Sequence, residues 1–137
     1  MDFKDYLEEL NAQEKINKLA KLYKNKKFAI YGAGQYCTVI FENYDMSKLN
    51  IVAISDRKFN DISKRNFFGL NCISPFELPK VDFDVLLVAN LDYYNFSRMI
   101  DREILYGTKK ANVEMRPLIK IDFLDLLKKK LEHKKEK

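Results

Sequence analysis

Apolar positions change their period several times along the chain. The N-terminal segment 1–24 carries Phe3, Tyr6, Leu7 and Leu10, then Ile16, Leu19, Ala20 and Tyr23, at the three-and-four spacing of an amphipathic helix. Asn11 lies between the two sets, where it caps one helix or starts another. After the polar stretch Lys24–Lys27, four apolar residues in a row, Phe28–Tyr31, predict a short strand. Helical spacing returns at Tyr36, Cys37, Ile40, Phe41 and Tyr44. A second strand is predicted over Ile51–Ser55, closed by Asp56.

The pattern then loosens. Residues 57–69 are polar and basic with a few aromatics, which predicts a loop with at most one helical turn. "LNCIS" reads as a short third strand. "SPFELP" reads as a small helix, with Ser74 as N-cap, Pro75 at the first position and Glu77 three residues after the cap. "FDVLLVAN" is a continuous apolar run suited to burial on both faces of a sheet. A helix is predicted over "LDYYNFSRMIDREILYG", ending at Gly107, and a last short strand within "ANVEMRPL". The segment 121–137 predicts a C-terminal helix with Ile121, Leu124, Leu127 and Leu131 on one face, Phe123 beside it, and a basic tail. Strands alternating with helices predict an α/β, three-layer fold: a mostly parallel sheet of four to five strands with helices on both faces.

Composition keeps this within one domain of 137 residues, with no visible repeat or internal boundary. The net charge of +5 adds little, because much of the excess sits in "LKKKLEHKKEK", which reads as the solvated end of a helix. No basic stretch interleaved with aromatics suggests nucleic acid as a partner. No apolar run reaches the 18 or so residues of a membrane span. The acidic opening "MDFKDYLEEL" is unlike a signal peptide. Cys37 and Cys72 are the only cysteines and lack metal-ligand spacing, so a cytoplasmic protein with two free thiols and no metal is expected.

The candidate chemistry sits in "FAIYGAGQYCTV". A glycine directly after a strand permits a tight turn, and a second lets the backbone approach a pyrophosphate. The helix that follows offers free N–H groups and its positive dipole end. Gly32 and Gly34 fit the two glycine roles, and Ala33, Gln35 and Tyr36 complete the turn and first helical positions. The third glycine of the dinucleotide fingerprint is replaced by Cys37. Asp56 ends the second strand about 20 positions on, the spacing at which an acid accepts hydrogen bonds from a ribose. Arg57 and Lys58 follow, as phosphate contacts or as a solvated loop face. Asn90 ends the fourth strand on the side where open α/β sheets bind ligands, as a lining residue or as a helix cap.

"KKFAIYGAGQYCTVIFENY", "IVAISDRKFND" and "FFGLNCISPFELPKVDFDVLLVAN" together resemble the small Rossmann-like domain of bacterial polysaccharide-biosynthesis proteins. In those proteins it precedes nucleoside-diphosphate-sugar epimerase/dehydratase domains, and a similar domain opens some sugar O- and N-acyltransferases. The resemblance covers roughly residues 26–106. It implies binding of a nucleotide, a nucleotide-sugar or a CoA-like ligand through Gly32, Ala33, Gly34, Gln35 and Asp56, and a place in sugar-nucleotide metabolism. NAD(P) or a nucleotide-sugar is the expected ligand.

A catalytic set is not visible. Tyr-x-x-x-Lys, the proton-shuttling pair of short-chain sugar-nucleotide enzymes, occurs as Tyr23/Lys27, Tyr44/Lys48 and Tyr106/Lys110, each badly placed for the cradle. His133 is the only histidine and lies in the basic tail. Three readings stand: a nucleotide-binding module, a small sugar-nucleotide oxidoreductase or epimerase completed by a partner, and an interaction scaffold without a ligand. The terminal helices could pair two copies.

Overall fold

A computed structural model describes residues 2–136, with side chains for all of these except Phe123 and residues 133–136, so the expectations for Phe123 and His133 lie outside the described residues. Helices α1 (Phe3–Glu9) and α2 (Ala12–Leu22) come first. Asn11, with a left-handed φ of 55°, breaks the N-terminal helical pattern in two. Strand β1 (Phe28–Tyr31) follows, then α3 (Gln35–Asn43) and β2 (Ile51–Ser55). Two 3-10 turns, Arg57–Asn60 and Ile62–Lys64, precede β3 (Cys72–Ile73). A 3-10 helix (Pro75–Lys80) leads to β4 (Val85–Val88), α4 (Tyr93–Met99), a π-helical turn (Ile100–Leu105), β5 (Glu114–Pro117) and α5 (Phe123–Glu136).

The sheet has five strands in the order β3-β2-β1-β4-β5, and every pairing is parallel. The fold is thus the three-layer α/β arrangement that the alternation predicts, with a wholly parallel sheet. β1 and β4 are buried at every position. Phe28, Ile30, Val85 and Leu87 face a core shared with Leu7, Ile16 and Ile40. Ala29, Tyr31, Leu86 and Val88 face a second core with Leu78, Ile100 and Leu105. Burying a side chain such as Leu86 completely contributes roughly 1.5–3 kcal/mol. Strand order reverses between β1 and β4, so the chain leaves these neighbours in opposite directions and opens a crevice at their carboxyl ends.

Four elements differ from the sequence pattern. The loop after β2 holds two 3-10 turns, where at most one turn is expected. The segment after Ser74 keeps its expected capping box, Ser74 with Glu77, but winds as a 3-10 helix, because Pro79 inside it cannot donate to an α ladder. The helix after β4 changes from α to π at Ile100, which the apolar spacing cannot reveal. In α5, Leu124, Leu127 and Leu131 point to solvent. The helix docks instead through buried Leu126, the Tyr6 hydroxyl donating to Asp125 at 3.0 Å, and Lys129 on Glu9 at 2.7 Å.

Candidate functional site

The turn after β1 is built mostly from its own contacts. Gly32 donates its N–H to the Ser55 carbonyl at 2.8 Å. Its φ is +111°, and a Cβ there would lie 2.7 Å from the Ala89 carbonyl oxygen, so the fold itself demands glycine. Ala33 donates its N–H to Asp56 Oδ2 at 2.8 Å, and its carbonyl accepts from Lys58 Nζ. Its methyl group is buried in the core.

Gly34 is different. Its φ of −93° suits any residue, and a Cβ built on it meets no atom within 4 Å. It is the N-cap of α3 and has no side chain with which to cap it. The first α-helical bond runs from Thr38 N–H to the Gly34 carbonyl at 3.0 Å. The N–H groups of Gln35, Tyr36 and Cys37 therefore have no acceptor within the helix, and the positive end of its dipole faces outward.

Gln35 and Tyr36 line a cleft of 530 Å³ at the carboxyl ends of β1 and β4. Of the residues singled out in the sequence, Gly32, Gly34, Gln35, Tyr36, Asp56, Arg57 and Asn90 all line it, and Ala33 does not. Several play other parts than expected. The Tyr36 hydroxyl donates to the Ile119 carbonyl at 2.7 Å and accepts from its N–H at 3.0 Å, which leaves only the helical start of this residue for a ligand. Burial pushes the Tyr36 hydroxyl well above its usual pKa. Asp56 holds the turn: besides Ala33, it accepts the Lys58 N–H on Oδ1 at 3.0 Å, capping the 3-10 turn 57–60. Asn90 accepts the Asp92 N–H at 2.8 Å. Arg57 reaches Glu103 at 3.6 Å, with both side chains largely exposed, a pairing worth little.

The far wall was not legible from the chain. Asn95, Phe96 and Met99 of α4 line the cleft, together with Tyr31 and Ala89 at the strand ends. Burial raises the pKa of Tyr31 above its usual value. Arg57 and Met99 also line an adjoining groove of 800 Å³ between the 3-10 helix 75–80 and the π-helical turn.

Little in the cleft is poised to react. Asp56 is the one carboxylate among its lining residues. Cys37, in the place of the third glycine, is fully buried, and burial pushes its thiol up to about 12, so it stays protonated far above neutral pH. The three Tyr-x-x-x-Lys tyrosines lie outside the cleft lining. Tyr23 donates to Glu114 at 2.6 Å, and burial raises both Tyr23 and Tyr44, the opposite of what a proton shuttle needs. Among the described residues no group of three or more His, Cys, Asp or Glu could hold a metal. No helix among them is long and apolar enough to cross a membrane.

Residues 24–111 match the sequence model of a family described as C2185-like, N-terminal, and the chain belongs to that family. The matched span contains the whole cleft lining, from Tyr31 to Met99. No curated protein and no solved structure matches the chain.

Proposed function

We propose that this member of the C2185-like N-terminal family is a binding module for a nucleotide or nucleotide-sugar, NAD(P) included, whose diphosphate sits on the first turn of α3. Gly34 carries this reading. The fold gives no reason for glycine there, since both its φ and the space around it would take a side chain. A ligand that comes close to the backbone supplies the reason: a Cβ would occupy the ligand's place. The uncapped N–H groups behind it supply the donors, and the helix dipole favours an anion.

Binding without chemistry is the reading the cleft supports, because its lining offers one carboxylate and no histidine or thiol. The tie to sugar-nucleotide metabolism rests on the sequence resemblance. The test is a thermal-shift panel of NAD, NADP, UDP-sugars, other nucleoside-diphosphate sugars and CoA on the wild type and on Gly34→Val. A ligand at 100 times its dissociation constant adds about 2.7 kcal/mol. The expected result is a shift with at least one compound that Gly34→Val abolishes while its own melting temperature falls by no more than a few degrees, the cost of a poorer N-cap. No shift with any of them leaves the scaffold reading in possession.

A further inference from the structure

An unphosphorylated ribose is recognised in folds of this order by the acid at the end of the second strand, which accepts from the ribose hydroxyls. Asp56 stands in that place, and each of its oxygens already accepts a backbone N–H, Oδ2 from Ala33 at 2.8 Å and Oδ1 from Lys58 at 3.0 Å, which leaves one lone pair apiece for a ribose hydroxyl. Both bonds hold structure, one the glycine turn and one the 3-10 turn. The neighbouring cation is placed otherwise. Arg57 lines the cleft and the adjoining groove alike, and so marks the junction between them. Its contact with Glu103 is long, at 3.6 Å, and exposed, so the guanidinium exchanges partners at small cost. A phosphate offers a guanidinium two parallel charge-assisted hydrogen bonds, which an exposed carboxylate at that distance does not.

The groove beyond Arg57 suits what such a ribose would carry. Its walls include Pro75, Phe76, Pro79 and Ile104, with Lys80 and Lys109 along the same groove. Phe76 is 82 % exposed, an aromatic surface with nothing over it. Flat apolar walls with cations beside them fit a base attached to an additional anion.

We propose that the ligand's ribose carries a phosphate of its own, held by Arg57 at the junction, with the base in the groove between the 3-10 helix and the π-helical turn. The proposal rests on the nucleotide-cradle reading and narrows its ligand to the phosphorylated-ribose class, which NADP and CoA share. Matched pairs test it: NAD against NADP, and dephospho-CoA against CoA, titrated by calorimetry into the wild type and Arg57→Gln. The two pairs separate a 2′- from a 3′-phosphate. In at least one pair the phosphorylated member is expected to bind tenfold or more tightly, and Arg57→Gln to bring the two within twofold of each other. Equal binding within both pairs overturns the proposal and leaves the cradle standing. A preference that survives Arg57→Gln overturns the role given to this residue. Binding by neither pair also overturns the proposal, and the wider nucleotide panel then decides the cradle by itself.

Discussion

Two neighbouring strand ends meet the cleft in opposite ways. β1 ends in Gly32–Gly34 and β4 in Asn90–Asp92, and a helix follows each. At β4 the chain closes its own helix. Asn90 accepts the Asp92 N–H at 2.8 Å, and Asp92 accepts from the Asn95 N–H at 3.4 Å and its side-chain amide at 2.8 Å. At β1 a glycine stands where the cap would be, and the first turn of α3 is left open. Elsewhere the chain caps readily, with the Asp2–Asp5 box at α1, the Ser74–Glu77 box, and Asp122 on the Asp125 N–H at α5. α2 also lacks a side-chain cap, but it starts from the left-handed Asn11 in a tight turn out of α1. The open helix end is thus placed at the switch point of the sheet, where an outside oxygen can replace the missing cap.

The largest difference lies inside the turn itself. Gly32 and Gly34 look alike in the sequence, but the fold demands glycine only at the first. Gly32→Ala forces a Cβ to 2.7 Å from the Ala89 carbonyl on a backbone at φ +111°. Backbone strain and overpacking together cost roughly 2–4 kcal/mol. Thermal or urea unfolding of Gly32→Ala should therefore show a large loss, where Gly34→Val, which only exchanges a tolerable N-cap for a poor one, costs about 1 kcal/mol or less. Similar losses at both glycines would mean that the fold needs both, and Gly34 would then give no sign of a ligand.

The sequence carries the sheet well and the cleft only in part. Strand β4 is plain in "VLLV" because burial on both faces leaves no room for a polar residue, and the capping box at Ser74 is local enough to be seen. The spacing from Gly34 to Asp56 places that carboxylate correctly at the cleft, since short connections and parallel strands fix where a strand end falls. What Asp56 bonds to was not legible, because Ala33 meets it only after β2 pairs with β1. Tyr36 lines the cleft, but the role of its hydroxyl is not legible in the sequence. Its position at the helix start suggests a ligand contact, yet its hydroxyl is satisfied by Ile119, far along the chain. Asn95, Phe96 and Met99 went unseen for a related reason: helical spacing gives a face, and only the strand order says what that face looks at.

The β4 end is tested by removing its cap. Asp92→Ala deletes the acceptor for the Asn95 N–H and a negative charge at the positive end of α4. The loss should be about 1 kcal/mol, or roughly 3–5 °C in melting temperature for a chain of this size. Nucleotide affinity should stay within about twofold of wild type, since the first turn of α3 is untouched. A tenfold loss of affinity in a folded Asp92→Ala would instead place the ligand's anion at α4.

The open end of α3 can be closed with little change in stability. Gly34→Asp gives α3 the cap that α4 already has. Its carboxylate can accept the unpaired N–H groups of the first turn, and the open space around Gly34 accommodates it. Against glycine, which is itself a tolerable N-cap, this stabilises by only a few tenths of a kcal/mol, so the melting temperature should stay level or rise slightly. Binding should respond in the opposite direction. The new carboxylate fills the donors a phosphate would use and repels its charge at close range, and affinity for any nucleotide bound by the wild type should fall more than tenfold. A variant at least as stable as wild type that no longer binds would separate the two roles of that turn, since the helix would be better capped and the cradle lost. If Gly34→Asp binds nucleotide as the wild type does, the phosphate lies elsewhere, and the open end of α3 is only a weak cap.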